Sequence, residues 1–173
     1  MTNTAPENIY LDYAAATPVD TRVLDAMLPY FSDVFYNPSA PYALARRART
    51  AFEDARAALA HCIGARPMSI TLTAGATEAN NLAFASVDGT VLTDAIEHES
   101  TLSCARAREH VLVDVTREGF VTPSAVAAAL TPDVELVSVA LANGEIGTVQ
   151  NLREIAAVVK AERQRRLEAG EAH

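Results

Sequence analysis

Lysine is almost absent from this chain. Of its 14 basic residues only Lys160 is a lysine, and the others are arginines. A reaction that needs a lysine amine must therefore use Lys160 or a lysine of another polypeptide. Lys160 lies at the polar end of an amphipathic pattern that predicts an outer helix, so we do not expect it to reach an active-site crevice.

Positive charge and long apolar runs are also scarce. The chain has 14 basic against 22 acidic residues, a net charge of −8, which argues against nucleic acid or an anionic membrane as a partner. No apolar run is long enough to span a bilayer, and the N-terminus lacks the pattern of a signal peptide. These features predict a cytoplasmic protein.

The two cysteines, Cys62 and Cys104, provide neither a metal-ligand spacing nor a disulfide framework. We therefore predict no metal site and expect both to be small buried residues. Half of the 173 residues are hydrophobic, which is enough for one domain with a substantial core.

Short β-type runs alternate with helical patterns along most of the chain. This alternation predicts an α/β fold, a mostly parallel sheet with helices on both faces. Residues 9–13 are expected to form a short strand or extended arm, and a loop is expected at 36–41. The predicted strands are 69–72, 90–93, 111–115 and 136–140. The predicted helices are 18–31, 42–63, 77–84, 98–108, 123–130 and 152–167.

The segment around Gly75 and Thr77 joins a predicted strand to a predicted helix. A helix N-terminus offers unpaired N–H groups and a positive dipole end, and Thr77 adds a hydroxyl, so the turn suits a phosphate. An ordinary helix cap is the alternative.

Two further groups follow later strands, His98 within 97–99 and Asn143 within 143–147. The carboxyl ends of parallel strands share one sheet edge, so we expect all three loops to converge on one crevice. Four arginines of the long predicted helix are expected on its solvated face, with anion binding as the alternative: Arg46, Arg47, Arg49 and Arg56.

Five motifs stand in an order and spacing that resemble cysteine desulfurases. They are 9–19, Asn37-Pro38-Ser39, 73–78, Glu97-His98 and 143–150. The resemblance extends to about Lys160 and covers only the first part of the family's length.

The resemblance implies a class V aminotransferase-type enzyme of fold type I that uses pyridoxal 5'-phosphate. Such enzymes take sulfur from L-cysteine, leave L-alanine and carry the sulfur as a cysteine persulfide. The phosphate would be held by Gly75, Ala76 and Thr77. His98 would stack on the cofactor ring and assist proton transfer.

The same resemblance assigns Asn143 to the cofactor and Asn37 to a substrate-side loop. It also implies an N-terminal arm over 1–20 and a partial cofactor-binding domain over 21–173. Two positions depart from the family. Gly144 stands where a second asparagine would contact the phenolic oxygen of the cofactor, and Tyr42 stands where the family has a histidine.

In the family, the pyridine-nitrogen aspartate, its neighbouring glutamine, the Schiff-base lysine and the persulfide cysteine all lie beyond residue 173. One hypothesis is a split enzyme, completed by a second polypeptide in a heterotetramer and delivering sulfur to an acceptor protein. The alternatives are a non-catalytic interaction module, or another class V activity such as an aminotransferase or selenocysteine lyase.

Overall fold

A computed structural model describes residues 9–171, which divide into two compact units meeting between Leu72 and Thr73. The predicted boundary between residues 20 and 21 stays a prediction. In its described residues, the first unit contains the α-helices α1 (Thr21–Met27), α2 (Pro29–Ser32) and α3 (Ala43–Cys62).

The single helix predicted over 18–31 is wrong. Asp20 caps α1 by accepting a hydrogen bond from the Arg22 N–H at 2.8 Å, so the helix begins at Thr21 and not at Pro18. Pro29 has no N–H to donate to the preceding turn, and the chain starts the separate helix α2 there.

Helix α3 confirms the prediction for 42–63 within one residue at each end. Gly64 follows it with φ +66°, the left-handed conformation that glycine adopts easily. Arg46, Arg47 and Arg49 are exposed, as predicted, whereas Arg56 is partly buried beside Glu53. Arg49 Nε also donates to the Pro38 carbonyl at 2.7 Å and so holds the 36–41 loop.

The strand predicted over 69–72 is wrong. Pro67–Ser69 form a short 3₁₀ helix, and the residues after it pair with no strand in the described part of the chain. The β-branched and apolar residues of 69–72 match strand propensity, but a strand also requires a hydrogen-bonded neighbouring strand. Residues 9–13, predicted as a short strand or an extended arm, form no strand.

The second unit holds the sheet. Three parallel strands, β1 (Thr90–Asp94), β2 (His110–Val113) and β3 (Val134–Val137), lie in the order β2-β1-β3. Four helices complete the unit: α4 (Ala76–Phe84), α5 (Glu99–Arg106), α6 (Pro123–Ala129) and α7 (Leu152–Ala169). The predicted alternation is confirmed here, with strand ends shifted by at most three residues.

Helices cover both faces of this sheet, as predicted. Neighbouring residues of β1 point to opposite faces. Val91 packs with Phe84 of α4 and Ala105 of α5, whereas Leu92 belongs to a second core cluster that includes residues of α6 and α7.

Cys104 is buried, as predicted, but Cys62 is exposed at the last turn of α3, so the expectation for Cys62 is wrong. Lys160 is exposed on α7. Within residues 9–171 no helix combines the length and apolarity needed to cross a membrane.

Candidate cofactor site

A cavity of about 770 Å³ opens where α4 and α5 begin. Small and polar residues line it, and all of them belong to the second unit: Ala74, Gly75, Ala76, Thr77, Glu78, Asn80, Asn81, His98 and Ser100. The structure therefore brings together four of the predicted site residues, Gly75, Ala76, Thr77 and His98.

The floor of the cavity is the first turn of α4. Gly75 is the N-cap and provides no side-chain cap, so the early N–H groups of the helix face a site without a competing cap side chain. Apart from Gly75 and its two chain neighbours, no described residue lies within 4 Å of where a Cβ would stand on Gly75. The turn is thus open to a ligand, and the helix dipole favours an anion there.

Glu78 is the charged side chain in the lining of this cavity. Its Oε2 accepts a hydrogen bond from the Ala74 N–H at 2.7 Å, which folds the carboxylate back onto the preceding loop. That bond leaves the N–H groups of Ala76 and Thr77 for a ligand. An anion that binds here must approach from the side away from the carboxylate.

His98 is the N-cap of α5 and lines the same cavity as the first turn of α4. Its Nδ1 accepts a hydrogen bond from the Ser100 N–H at 3.1 Å and lies 2.8 Å from the Ser100 hydroxyl. This hydroxyl also accepts from Asn80 Nδ2 at 2.9 Å, which connects α4 to α5. Both helices therefore hold the histidine ring in place.

The loop that carries His98 is tied to the loop after β3. The Ala140 N–H donates to the Glu97 carboxylate, and Asn143 Nδ2 donates to the Ile96 carbonyl at 2.7 Å. Where the His98 loop leaves β1, Asp94 accepts a hydrogen bond from the Ile96 N–H at 3.0 Å. Burial raises the pKa of Asp94, and the backbone hydrogen bond from Ile96 partly opposes this. The Gly75 and His98 loops therefore line one cavity, and the loop after β3 is bonded to the His98 loop. The convergence of all three loops on one crevice stays a prediction.

Asn143 does not line the cavity. Its Oδ1 accepts from the N–H groups of Glu145 and Ile146 at 2.9 and 3.1 Å. The amide oxygen therefore holds the loop of Asn143 itself, and the amide nitrogen holds the His98 loop. Its contact with a cofactor stays a prediction. No atom lies within 4 Å of a Cβ built on Gly144.

Asn37 belongs to the other unit, where its Oδ1 accepts from the Ser39 N–H at 2.9 Å. This bond forms an Asx turn that the Asn-Pro-Ser sequence favours. The assignment of Asn37 to a substrate-side loop stays a prediction.

Sequence reasoning missed Asn80, Asn81 and Ser100 as lining residues. A helical signal was available, because Asn80 and Asn81 follow Thr77 by three and four residues and so share its face. Asn81 Nδ2 donates to the Thr77 carbonyl at 2.8 Å. The contact between Asn80 and Ser100 spans twenty residues and had no local signal.

The chain matches the model of the class-V aminotransferase family over residues 9–165, and it belongs to that family. Its curated relatives are cysteine desulfurases. It is 37% identical to cysteine desulfurase IscS of Dictyoglomus turgidum over 164 residues, which cover 88% of this chain and 42% of that protein. It is 39% identical to putative cysteine desulfurase IscS 1 of Bacillus subtilis, covering 89% of this chain and 44% of that protein.

Solved structures give the same result. A structure described as SspA in complex with cysteine superposes with a TM-score of 0.84 at 34% identity, covering 89% of this chain and 48% of that chain. The structure of a NifS-like protein from Rickettsia africae superposes with a TM-score of 0.80 at 32% identity. The match covers 88% of this chain and 45% of that chain. The fold is that of part of a fold-type I pyridoxal-phosphate transferase. The chain spans less than half the length of these relatives.

Proposed function

We propose that this chain is the N-terminal part of a cysteine desulfurase whose active site is completed by a second polypeptide. The reaction would remove sulfur from L-cysteine and leave L-alanine. The observation that carries the proposal is the cavity that the open N-terminus of α4 and His98 line together. The identity to cysteine desulfurases supports the choice of reaction.

The lining of the cavity fits pyridoxal 5'-phosphate on one side. The N–H groups of Ala76 and Thr77, the Thr77 hydroxyl and the open side of Gly75 would hold its phosphate. His98 would lie against the pyridine ring and hold or move a proton. When bound, the cofactor supplies an electron sink for bond breaking at the substrate carbon. Asn143 and Asn37 are proposed as the cofactor-side and substrate-side contacts of their loops.

The reactive lysine is proposed to come from the partner. Lys160 is exposed on α7, and it is absent from the residues that line the cavity. The partner would also supply the pyridine-nitrogen aspartate, its neighbouring glutamine and the persulfide cysteine.

The exposed apolar residues of the first unit support the same division. Helices α1 and α2 bury none of their residues, and Phe31 is 72% exposed. Large apolar patches on a protein surface mark interaction sites. We propose an assembly with two copies of each polypeptide, located in the cytoplasm, that passes sulfur to an acceptor protein.

A non-catalytic module is the second candidate. Gly144, which has no side chain to offer the cofactor, is the observation that favours it. Another class V activity, such as an aminotransferase or a selenocysteine lyase, is a third. Both are separated from a desulfurase by the products formed from cysteine in the complete assembly.

The test is co-expression with a polypeptide that carries the remaining part of the family sequence. The 173-residue chain alone should show no visible absorption band of lysine-bound pyridoxal phosphate. The complex should be yellow and should release alanine and sulfide from cysteine in the presence of a reductant. A complex that forms with bound cofactor but releases no alanine would contradict the desulfurase.

Within that complex, Thr77→Val should weaken pyridoxal-phosphate binding about 5- to 30-fold, because one charge-assisted hydrogen bond to the phosphate is lost. Fluorescence titration of the apo-complex measures this affinity. Thr131→Val is the matched control, since Thr131 is exposed and lies outside the cavity lining. Unchanged affinity in Thr77→Val would show that the cofactor phosphate does not bind at this turn.

A further inference from the structure

A line of side-chain hydrogen bonds leads from α4 to the ring of His98. Asn80 Nδ2 lies 2.9 Å from Ser100 Oγ, and Ser100 Oγ lies 2.8 Å from His98 Nδ1. Asn80 and Ser100 are each partly buried, while His98 is exposed to the cavity. The line therefore starts in the packed region between two helices and ends at the site.

The direction of these bonds follows from the donors. The Ser100 backbone N–H can only donate, and it lies 3.1 Å from His98 Nδ1. Nδ1 is therefore an acceptor without a proton, and the proton of the neutral ring is on Nε2. The amide of Asn80 donates to the Ser100 oxygen, which leaves the hydroxyl hydrogen to point at Nδ1.

We propose that Asn80 and Ser100 are positioning residues that hold His98 in the Nε2–H tautomer. The backbone bond alone would make His98 an ordinary helix cap. The Ser100 hydroxyl adds a second donor to the same nitrogen. Asn80 orients this hydroxyl, because its amide donates to the Ser100 oxygen and leaves the hydroxyl hydrogen for Nδ1. Nε2 is then the ring nitrogen that remains available to a ligand in the cavity.

The tautomer does not depend on the proposed function, but its consequence for the cofactor does. A histidine ring fixed by Nδ1 has a defined plane and presents one defined proton. For a ring that stacks on pyridoxal phosphate, this fixes both the stacking surface and the atom through which a proton is held or moved.

A second histidine supplies an internal reference. His110 Nδ1 lies 2.9 Å from the Arg108 carbonyl, which can only accept a hydrogen bond. The proton of neutral His110 is therefore on Nδ1, so the two rings should carry opposite tautomers. This contrast can be read in one spectrum of one sample, and an intact His110 signal also reports that a variant remains folded.

The experiment is long-range ¹H–¹⁵N NMR of the histidine side chains in the ¹⁵N-labelled 173-residue chain, at a pH where the rings are neutral. His98→Gln identifies the His98 signals by their loss. In the wild type, His98 should show the Nε2–H pattern and His110 the Nδ1–H pattern.

Two variants test the positioning residues. Ser100→Ala removes the second donor, and Asn80→Asp turns the Ser100 hydroxyl away, because a carboxylate can only accept. Each should move the His98 tautomer ratio toward Nδ1–H by roughly fivefold, the size of one net hydrogen bond. Asn81→Asp adds the same charge one residue along α4, where the side chain bonds the Thr77 carbonyl, and should leave the ratio close to wild type.

An Nδ1–H pattern for wild-type His98 would overturn the proposal. So would equal shifts in Asn80→Asp and Asn81→Asp, because the effect would then be one of charge and not of the hydrogen-bonded line. Neither result bears on whether the completed assembly releases alanine from cysteine, so failure of this inference is distinct from failure of the proposed function.

Discussion

Glu162 lies between two arginines on α7. Its carboxylate accepts from Arg166 Nε at 2.8 Å and from Arg165 at 2.9 Å. Hydrogen bonds from Arg165 and then Arg166 lower the pKa of Glu162 from 4.5 to about 2. Arg166 is itself buried and donates to the Val134 carbonyl at 2.9 Å, so this group joins the end of α7 to the start of β3.

We expect Glu162→Gln to be less stable than the wild type at neutral pH, with the difference shrinking in acid. The folded state favours the ionised carboxylate, so the stabilisation is present above pH 4.5 and is lost as the pH falls toward about 2. Urea unfolding at a series of pH values between these limits measures the difference in the free energy of unfolding.

Glu168→Gln is the control on the same helix. Glu168 is exposed and accepts a hydrogen bond from the neutral Gln164 amide at 2.8 Å. This bond is weaker than the bonds that Glu162 accepts from the charged arginines. A pH-independent difference between Glu162→Gln and the wild type would show that the arginines do not favour the ionised carboxylate.

At the level of elements, one buried side chain joins two loops beside the sheet. Gln150 precedes α7 and is 6% exposed. Its Oε1 accepts from the Val121 N–H at 2.9 Å, and its Nε2 donates to the Gly119 carbonyl at 2.7 Å. At Gly119 φ is +82°, and a Cβ there would clash with Ile146. These contacts fix the 143–150 segment against the loop after β2.

Gln150→Ala should lower the free energy of unfolding by about 1–3 kcal/mol, because it leaves a buried N–H and a buried carbonyl without partners. Urea unfolding measures it. Gln164→Ala, on the exposed surface of α7, should change stability by less than about 0.5 kcal/mol. Equal losses in the two variants would mean that the 119–121 backbone finds other partners.

Element prediction succeeded where local signals and tertiary packing agree. Helix α6 begins after Thr122, whose hydroxyl accepts from the Ala125 N–H at 3.1 Å, and proline stands at its first position. The 69–72 segment shows the opposite case. Its residues favour a strand, but pairing depends on a neighbour that no local pattern specifies.

At the level of the whole molecule, the two units differ in what they bury. The second unit has two core clusters around β1. In the first unit the buried hydrophobic residues are alanines, Ala45, Ala48 and Ala60, among the residues that the structure describes. Large apolar side chains such as Phe31 and Phe35 are 72% and 64% exposed. Such a surface is typical of a subunit that is completed by a partner.

We expect the chain alone to bind a hydrophobic dye strongly and to self-associate, and the completed assembly neither to bind the dye nor to associate further. Phe31→Ser should reduce dye binding and partner affinity while changing the free energy of unfolding by less than about 0.5 kcal/mol, because Phe31 is already exposed. Dye fluorescence, light scattering and co-purification measure these quantities.

Thr50→Ser is the control for that variant, since Thr50 is an exposed polar residue of the same unit. It should leave dye binding and partner affinity unchanged. If the chain stayed monomeric at high concentration and bound no dye, the exposed apolar residues of the first unit would not be an interaction surface.

The sequence by itself determined the alternation of strands and helices after Thr73 and the turn at Gly75 and Thr77, because each rests on residues that are close together in the chain. It also determined the family, because five short motifs stand in a recognisable order along the chain. Only the tertiary structure decided that 69–72 is not a strand, that Cys62 is exposed, and that Asn80 reaches Ser100. Burial and long-range hydrogen bonds depend on which elements become neighbours in space, and neighbouring residues in sequence do not encode that.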